Sequence, residues 1–202
     1  MDVQGVTGDA SAPLGASGEW LFDPYNVTIT SAPNVPTDMT SDPNEVADVN
    51  GSTWTPSADN STILNTTINT LLDNNTNVTV TTGLAGSPGT QAGDIVVNAP
   101  ITRSGSSGRA TLSLIANQNI TINQAINIEG SGSLLELNAG GSTSDPAIGF
   151  RAPVTVDTMI INASGTGAIN QGAVAGAAAL NVTNLGINAP LAAVNLRSNQ
   201  VA

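Results

Sequence analysis

The stretches "DIVVNAPI" (residues 94–101) and "NITINQAI" (residues 119–126) repeat one pattern at an offset of 25 positions. The aliphatic positions coincide, Ile95 with Ile120, Val97 with Ile122, and Ile101 with Ile126. A second pair, "TLSLIA" (residues 111–116) and "LLELNA" (residues 134–139), repeats at an offset of 23. Short alternating runs that recur at such a period are typical of a solenoid, whose coils bury their aliphatic side chains only by stacking on one another.

Further copies of the pattern extend the repeat toward the carboxy terminus. "INAPL" (residues 187–191) resembles "VNAPI" (residues 97–101), and "AVNLRS" (residues 193–198) resembles "TLSLIA". Asparagine recurs at the ends of the runs, where it accepts left-handed dihedral angles and can bond to its counterpart in the next coil. These asparagines are Asn98, Asn123, Asn138 and Asn188. The pattern predicts an all-β fold, a right-handed parallel β-helix.

Composition excludes several functional classes. The 202 residues carry 15 acidic side chains against four arginines and no lysine, for a net charge of −11. This balance gives no electrostatic basis for nucleic-acid binding or for a basic membrane-binding face. Cysteine and histidine are absent, which excludes thiolate or imidazole zinc sites and a histidine-based catalytic triad. No apolar run approaches the length of a membrane-spanning helix.

The chain divides into an irregular beginning and a long repetitive part. Residues 1–17 are predicted to form a flexible or edge segment, and residues 18–202 the β-helix. Residues 31–59, rich in proline and acidic side chains, are predicted to form a loop excursion. Residues 60–73 show near-helical apolar spacing, so we expect a short helix capped by Asn60 or Ser61, with a strand as the alternative.

The stretch "GEWLFDPYNVTI" (residues 18–29) concentrates three of the five aromatic residues before an alternating run. Together with the helix-like segment and the coils that follow, it resembles the filamentous-haemagglutinin-like exoproteins of bacterial two-partner secretion, in which an Asp-Pro element commonly precedes β-helical coils. The resemblance covers residues 18–140 and weakly the remainder. No counterpart of the family's amino-terminal secretion domain is found, so this chain resembles an internal part of the fibre.

The resemblance implies a non-enzymatic segment of a secreted adhesin at the bacterial cell surface, acting as a rigid stalk or as a contact module. The implied partners are a receptor or glycan on a host or neighbouring cell, and an outer-membrane transporter that engages another part of the parent protein. No cofactor, nucleic acid or membrane insertion is expected. A glycan-processing β-helix enzyme and a purely structural spacer remain alternatives, although the acids at Asp94, Glu129, Glu136, Asp145 and Asp157 are scattered in sequence rather than clustered.

Three sets of residues are candidate sites. A sugar-stacking surface would use the aromatic side chains Trp20, Phe22, Tyr25 and Trp54, for which packing over the solenoid is the alternative. A calcium site would use the oxygen ligands Asp38, Asp42, Glu45 and Asp48, although their spacing does not match an EF-hand. Glycosylation would use the Asn-x-Ser/Thr positions Asn26, Asn60, Asn65, Asn77 and Asn119, for which a role in coil corners or ladders is the alternative.

Overall fold

The computed structural model describes residues 25–31, 51–54, 56, 59–83, 91–105, 108–141, 146–172, 178–196 and 200–201. Short strands dominate, together with one nine-residue helix. The elements are β1 Val27–Thr30, β2 Gly51–Trp54, β3 Ser61–Leu64, α1 Asn65–Asp73, β4 Asn77–Thr81, β5 Ile95–Val97, β6 Ile101–Arg103, β7 Thr111–Ala116, β8 Ile120–Ile122, β9 Ile126–Ile128, β10 Leu134–Ala139, β11 Ile148–Phe150, β12 Val154–Ala163, β13 Ile169–Gln171, β14 Leu180–Asn188, β15 Val194–Asn195 and β16 Gln200–Val201.

The strands stack into parallel sheets. Sheet A has seven strands in the order β3-β1-β5-β8-β11-β13-β15, and sheet B runs β2-β4-β7-β10-β12-β14-β16. A short face completes the coil, formed by β6, β9, the first halves of β12 and β14, and β16. Each strand pairs in parallel with the equivalent strand of the next coil. The predicted parallel β-helix is therefore confirmed.

The register agrees with the two clearest repeats of the sequence. Ile95 pairs with Ile120 and Ile101 with Ile126, at the offset of 25. Thr111 pairs with Leu134 and Ala116 with Ala139, at the offset of 23. The inward-facing aliphatic residues of successive coils are fully buried in one continuous cluster, because a coil this short excludes water from its core only through its neighbours.

The two weaker repeats do not mark equivalent positions. Ile187 pairs with Ile161 in sheet B, whereas Val97 of the similar motif lies in sheet A. Val194 pairs with Ile169 in sheet A, whereas "TLSLIA" forms β7 of sheet B. Resemblance over five or six residues is a weak guide where every strand alternates aliphatic and polar side chains.

The asparagines do form ladders between coils. The Nδ2 of Asn123 donates to Oδ1 of Asn98 at 2.8 Å, and that of Asn162 donates to Oδ1 of Asn138 at 2.7 Å. Positive φ occurs instead at Asn60 (57°) and at Asn75 (60°) among the described non-glycine residues. Asn98, Asn123 and Asn138 therefore act through side-chain hydrogen bonds rather than through left-handed corners.

Two predicted boundaries were wrong. The helix begins at Asn65 instead of residue 60, because residues 61–64 pair as β3 with β1. Its N-cap is Leu64, without a side-chain capping bond, so neither Asn60 nor Ser61 caps it. The predicted loop at 31–59 contains β2, whose backbone pairs with β4; most of that segment lies outside the described residues.

The helix α1 takes the place of a strand beside β6. Residues Asn65, Asn69 and Asp73, spaced at i, i+4 and i+8, lie on one face of the helix. Nδ2 of Asn65 donates to Pro100 O (2.7 Å), Thr102 N donates to Oδ1 of Asn69 (3.0 Å), and Ser104 N donates to Oδ1 of Asp73 (2.9 Å). These side chains supply the hydrogen bonds that a neighbouring strand would otherwise give to the edge of β6. We call α1 and β3 the amino-terminal cap.

A buried arginine joins this cap to the first coils. Arg103 is 1% exposed, and its Nε donates to the carbonyl of Leu72 at 2.9 Å. Its guanidinium also donates to the carbonyls of Glu129 and Gly108, the hydroxyl of Ser133 and Oδ1 of Asn75. Because Leu72 lies in the last turn of α1, the cation also faces the negative end of the helix dipole.

Candidate functional site

Most residues of the predicted aromatic and calcium sites lie outside the described residues. These are Trp20 and Phe22 of the aromatic site and all four calcium candidates, Asp38, Asp42, Glu45 and Asp48. The backbone of Trp54 belongs to β2 and pairs with Val80. Tyr25 is half-buried, and its backbone N–H donates to the carbonyl of Thr82 at 3.1 Å. The sugar-stacking surface and the calcium site therefore stay predictions.

The five candidate glycosylation asparagines are all described. Asn60 is exposed, and its Oδ1 accepts a hydrogen bond from Nε2 of Gln91 at 2.7 Å. Asn77 is exposed, and its Oδ1 accepts from Thr111 N at 3.0 Å. Asn65 is 8% exposed, with its Nδ2 bonded to Pro100 O as part of the cap. Each of these side chains thus bonds to a distant part of the chain.

Asn26 and Asn119 belong to a polar column at the corner before sheet A. Oδ1 of Asn26 accepts from Asp94 N at 2.9 Å, and Oδ1 of Asp94 accepts from Asn119 N at 3.0 Å. Oδ1 of Asn119 is buried with no hydrogen-bond partner, and a Cβ added at Gly141 would lie 2.4 Å from it. The column therefore aligns three coils and ends where Gly141 leaves room for the amide.

The described residues show no arrangement typical of a metal centre or a membrane span. Within them, no three His, Cys, Asp or Glu residues are grouped so that they could hold a metal ion. None of the helical structure described is long and apolar enough to cross a bilayer. One carboxylate, Glu136, accepts a hydrogen bond from the hydroxyl of Ser113 at 3.2 Å across neighbouring coils.

A concave surface occurs at the corner between the short face and sheet B. In one coil, five residues (129–133) connect β9 to β10, whereas Asp157 alone turns the corner within β12 and Thr183 alone within β14. The five-residue corner, with Gly130 and Gly132 at positive φ, stands beside two tight corners. The step between them forms a groove of about 370 Å³, which we call the corner groove.

The corner groove combines an apolar floor with polar walls. Ile128, Val156 and Val182 are buried side chains beneath it. Its other lining residues are Gly130, Ser131, Thr155, Asp157, Asn181 and Thr183. Oδ2 of Asp157 accepts a hydrogen bond from Gly132 N at 2.6 Å, which fixes the carboxylate against the five-residue corner. Hydroxyls, an amide and one carboxylate can form hydrogen bonds with a polar, uncharged ligand.

Sequence reasoning did not find the corner groove, although it noted Asp157 among the scattered acids. A usable signal was present in the spacing, since five residues separate Ile128 from Leu134, but only one separates Val156 from Thr158. Comparisons with known proteins found no matching family model, no matching curated protein and no matching solved structure. The functional argument therefore depends on the geometry of the chain itself.

Proposed function

We propose that this chain is a non-enzymatic segment of a secreted bacterial surface exoprotein, in which it acts as a rigid stalk or as a module that contacts another cell. The observation that carries the proposal is the in-register stack of coils around a continuous aliphatic core. Stacks of this type resist bending because each strand is bonded to both neighbours along the axis. The resemblance of residues 18–140 to two-partner secretion exoproteins supports the secreted location and the use of a transporter.

The corner groove supports the contact role within this proposal. It lies on the side of the solenoid, where a ligand can approach without disturbing the stack. Its walls carry one carboxylate and no cation, which disfavours strongly anionic ligands and favours a neutral saccharide or a polar peptide surface. A receptor or glycan of a host or neighbouring cell fits that description.

Two other functions compete with this proposal. A glycan-processing enzyme would need a pair of carboxylates placed on either side of a scissile bond, and the corner groove is lined by only one, Asp157. A pure spacer would have the same stack and no ligand. Binding and turnover measurements separate the three functions.

The proposal can be tested with a glycan array and with fluorescent binding to host and neighbouring bacterial cells. Thr155→Lys places a long cation in the corner groove, and Thr121→Lys makes the same change on sheet A, in the middle of another three-residue pairing. Binding lost in Thr155→Lys and kept in Thr121→Lys would support a contact module. No binding by a folded sample would favour the spacer, and conversion of a bound glycan would contradict the proposal.

A further inference from the structure

The corner groove contains a hydrogen-bond acceptor that the described part of the chain leaves unused. Oδ2 of Asp157 accepts from Gly132 N at 2.6 Å, whereas its second oxygen, Oδ1, accepts no hydrogen bond from any described residue. Oδ1 is not among the buried polar atoms that lack a partner, so it is accessible to solvent. Because a carboxylate oxygen only accepts, a ligand at this position has to donate a hydrogen bond.

A hydroxyl lies next to this carboxylate in the following coil. Asp157 and Thr183 each turn the corner alone, between residues that pair in register on either side. Since neighbouring parallel strands are about 4.8 Å apart, the two side chains start from backbones at that separation. Thr183 is exposed and lines the groove, and its hydroxyl both donates and accepts. Two adjacent hydroxyls of one sugar ring can bridge a pair of groups at this spacing.

An arginine on the same corner partly balances the charge of Asp157. A Cβ added at Gly132 would lie 2.6 Å from Nε of Arg109, so Arg109 packs against the residue whose N–H the carboxylate accepts. Arg109 is exposed and does not line the groove. A cationic ligand is disfavoured near Arg109, and an anionic ligand is disfavoured near Asp157. The groove therefore favours uncharged donors such as the hydroxyls of a neutral sugar.

The shape of the groove suits a small ring better than a protein surface. Its volume of about 370 Å³ is near the lower end of the range for small-molecule sites, whereas a stable protein contact covers on the order of 800 Å² on each partner. Ile128, Val156 and Val182 form an apolar floor, and Gly130 and Ser131 form a wall. A pyranose ring can place its C–H groups on the floor and its hydroxyls toward the polar side chains.

From these observations we propose that the corner groove binds one neutral pyranose ring of a cell-surface glycan through two adjacent hydroxyl groups. One hydroxyl donates to Oδ1 of Asp157, and its neighbour forms a hydrogen bond with the hydroxyl of Thr183. Asn181 and Thr155, joined by a hydrogen bond of 3.4 Å, provide an amide and a second hydroxyl for the other ring substituents. The inference rests on the contact role proposed above, because it names the ligand of the same groove.

Two-dimensional ¹H–¹⁵N NMR of the full chain provides the first test. The probes are the methyl glycosides of glucose, galactose and mannose, each a single neutral ring with adjacent hydroxyls, at up to about 0.1 M because so small a ligand binds weakly. We expect at least one of them to shift the amide signals of Thr155, Asp157 and Thr183. Its permethylated counterpart keeps the ring and the acceptors but has no hydroxyl donor, so we expect it to shift none of these signals.

The variant Asp157→Asn separates sugar recognition from the structure of the corner. Asparagine keeps an oxygen for Gly132 N, which an unchanged Gly132 amide signal verifies, and places an NH₂ donor where the free acceptor was. We expect the Kd of the glycoside to rise about tenfold or more. Glu136→Gln, which makes the same charge change outside the groove, should leave the Kd unchanged. If Asp157→Asn does not fold, Thr183→Val keeps the side-chain shape and should raise the Kd several-fold.

Four results would overturn the inference. They are unshifted groove amides with all three glycosides, equal binding of the permethylated sugar, equal Kd values for Asp157→Asn and Glu136→Gln, and displacement of the glycoside by trilysine in a salt-sensitive manner. The contact role fails separately. Sugar binding in the NMR experiment without any binding to cells contradicts the contact role alone, whereas cell binding that Asp157→Asn leaves intact contradicts only the assignment of the groove as its site.

Discussion

In the helix α1 Leu72 is fully buried, whereas after β14 Leu191 exposes 66% of its surface. Both residues belong to the aliphatic material of the same solenoid. They differ because Leu72 lies on the buried side of α1 and packs in the core cluster, whereas Leu191 lies in the connection between β14 and β15, mostly in water. A parallel coil presents unpaired strand edges at its ends, and on the short face the polar row of α1 supplies hydrogen bonds to the edge of β6.

The largest expected effect is at Arg103, whose hydrogen bonds join the amino-terminal cap to the first coils. Arg103→Leu removes a buried cation from five hydrogen-bond acceptors and leaves the carbonyl of Leu72 without its guanidinium donor. We expect a loss of about 3 kcal/mol or more in the free energy of unfolding, since buried polar groups stripped of their partners are costly. Urea denaturation followed by circular dichroism measures it.

The control for this prediction is Arg151→Leu. Arg151 is exposed and its Nη1 lies 3.5 Å from Oδ1 of Asn123, so the variant should change stability by less than about 0.5 kcal/mol. Equal losses of unfolding free energy in the two variants would mean that the guanidinium of Arg103 does not stabilise the contact between the amino-terminal cap and the first coils.

The next effect compares one substitution at both ends. Leu72→Ala creates a cavity beneath the cap and should destabilise the protein by about 2–5 kcal/mol. Leu191→Ala removes a side chain that is mostly in water, and should change stability by less than about 0.5 kcal/mol. Both variants are measured by urea denaturation at the same protein concentration. A cost at Leu191 close to that at Leu72 would show that the side chain of Leu191 is covered within the single chain.

The interior of the solenoid was more predictable than its ends. Ile95, Val97 and Ile101 repeat at a constant offset, and the structure pairs each with its counterpart. That success has a physical cause, because stacked coils place chemically similar side chains on one another. The ends interrupt the repeat, so sequence comparison found neither the helix boundary at Asn65 nor the true pairing of Ile187.

The position of β1 could not be predicted from the repeat. It lies between β3 and β5, although β3 follows it by more than thirty residues. Alternating aliphatic and polar residues identify a strand. They do not indicate which strands it pairs with when a long segment separates it from the next coil. Arg103 was likewise noted only as one of four cations, because its burial depends on residues 26–31 positions away.

A smaller effect is expected from the polar row of the cap. Asn69→Ala removes the acceptor for Thr102 N and the donor to the hydroxyl of Thr102. Because this site is exposed to solvent, we expect a loss of about 1 kcal/mol and faster hydrogen exchange of the Thr102 amide. Thr66→Ala, on the exposed part of α1, is the matched control. Unchanged exchange at Thr102 would mean that water replaces the asparagine without loss, and the cap would then depend on its apolar contacts alone.

The smallest effect is expected in the middle of the stack, where the asparagine ladders add to an edge that is already paired. Asn98 and Asn123 share one side-chain hydrogen bond of 2.8 Å in an exposed position, while the adjoining backbone bond from Asn123 N to Val97 O, at 3.0 Å, is independent of the side chain. A double-mutant cycle with Asn98→Ala and Asn123→Ala should give a coupling of about 0.5 kcal/mol. A coupling as large as the loss from Asn69→Ala would show that side-chain ladders, and not only backbone pairing, set the register between coils. Side-chain hydrogen bonds would then contribute as much stability in the interior of the stack as they do at the cap.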